Sequence, residues 1–417
     1  MRYSAFQILK NGLSGNNDWQ PVWRNPQPKS HYDVVIIGGG GHGLSTAYYL
    51  ARNHGITNVA VLEKNYLGGG NVGRNTTIVR ANYMLDGNSQ FYSHSLKLWE
   101  GMEQDLNYNT MMSQRGCLML GHSDGQMDNL ARRGNMMHMQ GDTDAELWDA
   151  ATVRKHMPYL NFDTARFPIY GGLMHWRGGT ARHDAVAWGY ARGADMRGVD
   201  LIQNCEVTGF KIENGKVLGV ETSRGYIGAG KVGVTVAGRS SQVAQMAGLR
   251  LPIESHVLQA FVTEGLKPVI DNVISFGMGH FYISQSDKGG LVFGGNLDMY
   301  NSYAQRGNLP MMEHIAEAGM ALMPMIGKAR MLRSWGGIMD MTMDGSPIID
   351  KTPVDGLFFN GGWCYGGFKA VPGSGDVFSH LIATGNHHAA ADKLLLNRFE
   401  TGHVIDEEGS GATPNTH

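Results

Sequence analysis

The sequence predicts a mixed protein, part α/β and part α+β, in one chain of 417 residues. Three observations predict it. The apolar run Asp33–Ile37 passes directly into Gly38-Gly39-Gly40-Gly41-His42-Gly43, then into a helical pattern to about His54, then into a second apolar run, Asn58–Leu62. Strand, helix and strand in that order make a βαβ unit. Residues 256–300 instead alternate as antiparallel strands do. A further buried-strand pattern, Val232–Ala237 closed by Gly238, resumes the character of the first unit. The two units are therefore expected to interleave, and the length is ample for two cores.

The other elements follow in order. Residues 1–30 read as an arm without periodicity, and Trp19 and Trp23 suggest that it docks. Residues 88–106 read as helix, and 126–156 as polar helix ending before Pro158. Residues 168–180 are glycine-rich and strand-like. His183–Arg197 repeats apolar residues at Val186, Tyr190 and Ala194, which marks a helix. Asp200–Phe210 and Lys216–Thr222 read as strands, the second following the hairpin turn Glu213-Asn214-Gly215. A helix is expected at 311–324, loops and short strands at 346–376, and a frayed end after 400.

Composition excludes several classes. A formal net charge of −2 offers no basic field for nucleic acid or an anionic membrane. Three separated cysteines, Cys117, Cys205 and Cys364, make neither a disulfide framework nor a zinc knuckle. No apolar run suggests a secretory leader or a membrane span, and the last residues carry no peroxisomal address, so a cytoplasmic setting is expected. No metal-ligand cluster is expected. The 25 methionines read as adaptable core filling, and the 59 glycines as many close approaches of backbone.

Gly38, Gly40 and Gly43 satisfy GxGxxG. The first permits the tight turn, the second lets backbone approach a pyrophosphate, and the third lets helix pack on strand. The helix N-terminus presents free N–H groups to the phosphates. Glu63, about 20 residues beyond Gly43, can accept from a ribose diol and would repel a 2′-phosphate. This is a Rossmann-like dinucleotide site, and the fingerprint alone does not choose FAD over NAD.

The loop LGGGNVGRNTTIVRANY, after Glu63, makes the choice. It offers a second set of close backbone approaches at Gly68–Gly70 and polar groups at Asn71, Asn75 and Thr76. It resembles the amine-oxidising flavoproteins that include D-amino-acid oxidase, glycine oxidase and sarcosine oxidase, where this loop lies against the flavin. With the segments GGTARHDAVAWGYARGA, WGGIMDMTMDGSPIID and GGFKAVPGSG, the chain from about residue 30 to 405 is similar to the beta-subunit family of heterotetrameric sarcosine oxidases.

That resemblance implies a Rossmann-like FAD-binding domain (31–105, 166–250 and 336–400) interleaved with an antiparallel-sheet substrate domain (106–165 and 251–335), between an arm (1–30) and a tail (401–417). FAD is implied to be noncovalent. Its contacts would come from the fingerprint (Gly38, Gly40, Gly41, His42, Gly43, Glu63 and Lys64) and from the loop (Gly70, Asn71, Arg74, Asn75, Thr76 and Ile78). Val207, Gly238, Gly366, Gly367 and Lys369 would complete them. FMN is implied to be covalent at His183, with His175 as competitor and Arg182 near its phosphate. A neutral imidazole nitrogen can attack an activated flavin methyl.

The implied reaction is oxidative demethylation of sarcosine. Arg80, ending TTIVR, would fork onto the substrate carboxylate, Lys369 would meet substrate and flavin, and Tyr282 would close the pocket. Electrons would pass to FMN and then to O2. The implied partners are alpha, gamma and delta subunits, with tetrahydrofolate bound through the alpha subunit. Two departures from the pattern stand out. Cys364 occupies what resembles a glycine position, and Gly290–Asn296 lacks the lysine and histidine of monomeric relatives. The rival readings are a single-flavin dehydrogenase of another secondary amine, such as proline or dimethylglycine, and a non-catalytic subunit with structural FAD.

Overall fold

The computed structural model describes residues 4–17, 21–163, 166–277, 281–298 and 300–407. His31–Ile37 forms the central strand of the first sheet. Its apolar run has no polar alternation because helices and neighbouring segments cover both faces. It pairs in parallel with Val59–Leu62 on one side and with Gly225–Val234 on the other. Asp200–Ile202 and Leu357–Gly361 extend the parallel order outward, and Ile348–Lys351 closes one edge antiparallel. The helix Gly41–His54 crosses between the first two strands and stops at Gly55, a left-handed C-cap.

The second sheet runs Met331–Thr342, Ile253–Gly265, Gly290–Leu297, Phe281–Gln285, Val273–Phe276, Cys117–Gly121, Gly171–His175, Ala145–Asp149. One join is parallel, Val273–Phe276 beside Cys117–Gly121. Phe261, Phe276, Phe281 and Phe293 pack there beneath Ile315, Ala318 and Leu322 of the helix Leu309–Leu322. The strand Ile253–Gly265 links the halves, since Ile253 lies in a core of the first sheet and Phe261 in that of the second.

Several expectations are corrected. The arm carries a helix, Ala5–Leu13, with Ser4 Oγ accepting from Gln7 N–H at 3.1 Å. Trp23 packs on the first core and Arg24 pairs with Asp195 at 2.8 Å, whereas Trp19 lies outside the described residues. The polar segment 126–156 is two helices, Asp124–Met139 and Ala150–His156, split by the strand Ala145–Asp149. That strand sits at a sheet edge with three of its five side chains exposed, so it has no apolar alternation. The strand expected at Asp200–Phe210 is likewise two, Asp200–Ile202 and Val207–Glu213. The strand expected at Val232–Ala237 is the end of a longer one, Gly225–Val234.

The glycine-rich stretch expected as loop holds a helix, Val371–Thr384. Its glycines, poor helix formers, are there for packing. A Cβ on Gly375 would lie 2.3 Å from Ser45 Oγ, and one on Gly373 would lie 2.7 Å from Ser95 Cβ. The expected boundaries also shift, because Gly171–His175 and all of Met331–Thr342 pair within the second sheet. Residues 401–407 are not frayed, since Ile405 and Glu407 are buried; residues 408–417 lie outside the description. Among the described residues no helix is long and apolar enough to cross a membrane.

The turn after the central strand is a close approach of backbone on backbone. Gly38 has φ +109, and a Cβ on Gly43 would sit 1.9 Å from the Gly38 carbonyl oxygen. Gly43→Ala is expected to cost about 1–3 kcal/mol, the usual range for overpacking. Denaturant unfolding and FAD content per chain should both register the loss.

Candidate functional site

A cavity of about 510 Å³ opens where the central parallel strands end and the second sheet begins. Ligand sites of doubly wound folds form at such carboxyl ends. Gly38, Gly40, Gly41 and His42 form one end, with Glu63 and Lys64 at the tip of the second strand. Gly40 and Gly70 line the cavity, and a Cβ on either would meet nothing within 4 Å, so their backbone is open to a ligand. Glu63 is preset for a diol. Its two oxygens accept from Gly39 N–H and Asn65 N–H, each at 2.9 Å, and keep further lone pairs.

His42 is fixed from both sides. Asn360 Nδ2 donates to Ser374 Oγ at 2.8 Å, so the Ser374 hydroxyl is free to donate to His42 Nδ1, 2.5 Å away. The ring stacks on Trp363 at 4.7 Å between centroids. Burial lowers its pKa to about 3, so it is neutral. Val207 and Gly238 also line the cavity. Gly43 and Gly366 do not, because they pack behind the wall, Gly366 against Tyr92 Oη.

The loop 68–80 reaches the cavity, but its polar side chains hold protein. Asn71 accepts from Ile338 N–H at 3.1 Å and donates to the Ile338 carbonyl. Arg74 donates to the carbonyls of Gly69 and Gly70 and, at 3.1 Å, to Gln305. Asn75 accepts from Thr77 N–H at 2.6 Å. All three also line the cavity, with these hydrogen bonds to protein already in place. Thr76 and Ile78 line the same wall.

Arg80 and Lys369 meet at the other end. The Arg80 guanidinium donates to Asn82 Oδ1 at 2.6 Å and lies 5.0 Å from the centre of the Tyr83 ring. Lys369 Nζ is 3.3 Å from Tyr83 Oη and 3.2 Å from the Tyr365 carbonyl. Neither cation has a carboxylate partner among the described residues. Burial first, and then the Arg80 charge, push the Lys369 pKa well below its ordinary value. Its surroundings thus oppose a positive charge on Lys369. Tyr83 stacks on Tyr92 at 3.8 Å and 7°. The Lys369 carbonyl accepts from Ser95 Oγ and Trp99 Nε1, both at 2.8 Å.

Tyr282 lines the cavity, and burial pushes its hydroxyl up to about 12. Its space comes from Gly294, where a Cβ would lie 2.4 Å from the Tyr282 oxygen. Cys364 adopts φ +48, the left-handed region that favours glycine, and its thiol lies 3.4 Å from Thr342 N.

Sequence reasoning missed Tyr83, Cys117, Asp340, Trp363 and Tyr365. Burial raises the Cys117 thiol to about 12 and the Asp340 carboxyl to about 6. Asp340 accepts from Gly362 N–H at 2.6 Å and Trp363 N–H at 3.1 Å, so it anchors the segment leading to Lys369. No motif marked it.

His183 and Arg182 lie off the cavity, at the start of the helix His183–Asp195. The two-rung ladder Ile78–Val79 with Gly179–Thr180 ties them to the loop. His183 Nδ1 is buried and has no hydrogen-bond partner, and burial lowers its pKa. Arg182 is occupied by Asp184 at 2.9 and 2.5 Å. His175 is fully enclosed. Elsewhere His94, Asp376 and His388 come together, although no metal group was expected. His94 already bonds Asp376 at 2.9 Å, and His388 Nδ1 accepts from Ala390 N–H at 3.1 Å.

Residues 33–381 match the family model described as FAD dependent oxidoreductase. The chain is 68% identical over 417 residues, all of both chains, to a protein of Rhizobium meliloti (strain 1021) named sarcosine oxidase subunit beta. It is 50% identical over 392 residues, 94% of this chain and 96% of the other, to one of the same name from Arthrobacter sp. Among solved structures, L-proline dehydrogenase from P. horikoshii superposes with a TM-score of 0.84 at 25% identity, covering 90% of this chain and 99% of that one. The chain belongs to the sarcosine oxidase beta-subunit family of FAD-dependent amine oxidoreductases.

Proposed function

We propose that the chain binds sarcosine between Arg80 and Lys369 and oxidises it as one subunit of a larger complex. Two basic side chains without a carboxylate partner among the described residues, at one end of a cavity whose other end suits a dinucleotide, carry this reading. The substrate carboxylate supplies the missing negative charge, and the Arg80 fork suits it bidentately. Glu63 and the glycine turn would hold the ADP half of FAD, with Gly70, Thr76, Ile78 and Gly367 along the rest. Bound FAD supplies the two-electron acceptor.

A substrate amine must be unprotonated before its methyl C–H bond breaks, because the nitrogen lone pair forms the new C=N bond. Neutral Lys369 can donate to Tyr83 and to the Tyr365 carbonyl and still hold a lone pair for that proton. Tyr282 and the buried wall around it limit water. Released imine takes up water to give formaldehyde and glycine, or passes its one-carbon unit to tetrahydrofolate in an alpha subunit. Gamma and delta subunits complete the proposed heterotetramer.

A second flavin, FMN, is proposed on His183. The partly exposed position of His183 supports it, since His175, whose Nδ1 is likewise without a hydrogen-bond partner, is fully enclosed. Held at His183, such a group would supply a second redox centre from which electrons could reduce O2 to hydrogen peroxide. Arg182 could help hold its phosphate only by exchanging Asp184.

Arg80→Ala should weaken productive binding by about 2–3 kcal/mol, the worth of charged hydrogen bonds. An unchanged KM for sarcosine would remove Arg80 from this role. Butanoate keeps the chain length and carboxylate but has CH2 in place of the amine. Its bound carboxylate favours protonated Lys369, so affinity should fall as pH rises through the depressed lysine pKa. Lys369→Met should flatten that profile, as read by flavin absorbance. Acid precipitation of the native complex should leave flavin fluorescence on this chain, and His183→Ala should abolish it. Unattached flavin in the native complex would favour the single-flavin dehydrogenase instead.

A further inference from the structure

Arg80 lies at the start of a segment, residues 80–87, that has no helix or strand of its own. Something else must fix the guanidinium. Arg80 donates to Asn82 Oδ1 at 2.6 Å, and Asn82 is fully buried. The Asn82 carbonyl in turn accepts from Arg133 Nη1 at 2.8 Å. Arg133 comes from the helix Asp124–Met139, and its ion pair with Glu407, also 2.8 Å, is buried at both ends, 9% and 7% exposed. The Glu407 oxygens also accept from Met84 N–H at 2.7 Å and Leu85 N–H at 2.9 Å.

One carboxylate near the end of the chain thus holds three groups of the segment that begins with Arg80: two backbone N–H groups directly, and the Asn82 carbonyl through Arg133. Its own position is fixed. Ile405 N–H donates to Asp344 Oδ2 at 2.9 Å, and Asp344 is paired with Arg398, both 2% exposed. Ser346 Oγ donates to the Ile405 carbonyl at 2.5 Å. Charge matters as well as geometry, because Arg80 lies within electrostatic reach of both Arg133 and Lys369. Glu407 neutralises Arg133, so repulsion does not displace Arg80 from its post.

We propose that Glu407 is a positioning residue for substrate binding, acting through Arg133 and Asn82 on Arg80. This rests on the reading of Arg80 as the carboxylate anchor. The test is a double-mutant cycle in the assembled complex, scored by kcat/KM for sarcosine, with FAD content and thermal midpoint recorded for each variant. Glu407→Gln should lower kcat/KM by about tenfold, the loss of one charged hydrogen bond. The change should appear in KM, with kcat at saturation within about twofold of the parent. In the Arg80→Ala background the same substitution should change kcat/KM by less than about twofold, because the group it positions is gone.

A tenfold loss in both backgrounds, or none in either, overturns the proposal. Parental kcat/KM in Arg80→Ala alone overturns the anchor reading instead. Should Glu407→Gln fail to retain FAD, Glu407→Asp takes its place in the cycle. It keeps the charge but withdraws the carboxylate by one methylene, and the same coupling to Arg80 is required of it.

Discussion

The end of the cavity proposed for the substrate depends on keeping two basic side chains side by side, partly or wholly out of water, with no carboxylate partner among the described residues. Desolvation and mutual repulsion both oppose this arrangement. The protein manages it by giving each cation neutral partners. Arg80 has an amide and an aromatic face, and Lys369 has a phenol oxygen and a carbonyl. In the proposed reading a substrate carboxylate would offset this repulsion, so the pairing of the two basic groups would favour an anion.

The remaining architecture supports that end. The first sheet presents its glycine turn and Glu63 at the carboxyl edge of the parallel strands. The second sheet brings Tyr282 and the wall from Gly337 to Asp340. Helix packing fixes Lys369 from behind, through Ser95 and Trp99 of the helix Asn88–Leu106. Close approach of the helix Val371–Thr384 to the helix Gly41–His54, permitted by Gly375, connects the pyrophosphate turn to the lysine. The dinucleotide end and the substrate end therefore share one set of packed helices.

The parallel unit was legible in the sequence because its signals are local. Strand, glycines, helix, strand and acid fall within some thirty residues, each with its own physical reason. The hairpin at Asn214–Gly215 was legible for the same cause, and both residues have positive φ as such a turn requires. The helix Val371–Thr384 was hidden because its glycines serve tertiary packing against helix propensity. Asp340 and Glu407 were hidden for another reason. Their meaning lies in partners distant along the chain, and a single acidic residue in a sequence looks like any other. Arg80 and Lys369 were found through resemblance; the structure adds that they converge and that the lysine resists its charge.

Gly294 closes one route by which the cavity wall could be remodelled. A side chain there would meet both the Tyr282 hydroxyl, 2.4 Å away, and the Gln259 backbone carbonyl, 2.7 Å away. Shortening the tyrosine relieves only the first of these contacts, so the neighbouring strand Ile253–Gly265 still reserves the position for glycine. The contour of the wall is set here by the spacing of two backbones as well as by the side chains that line it.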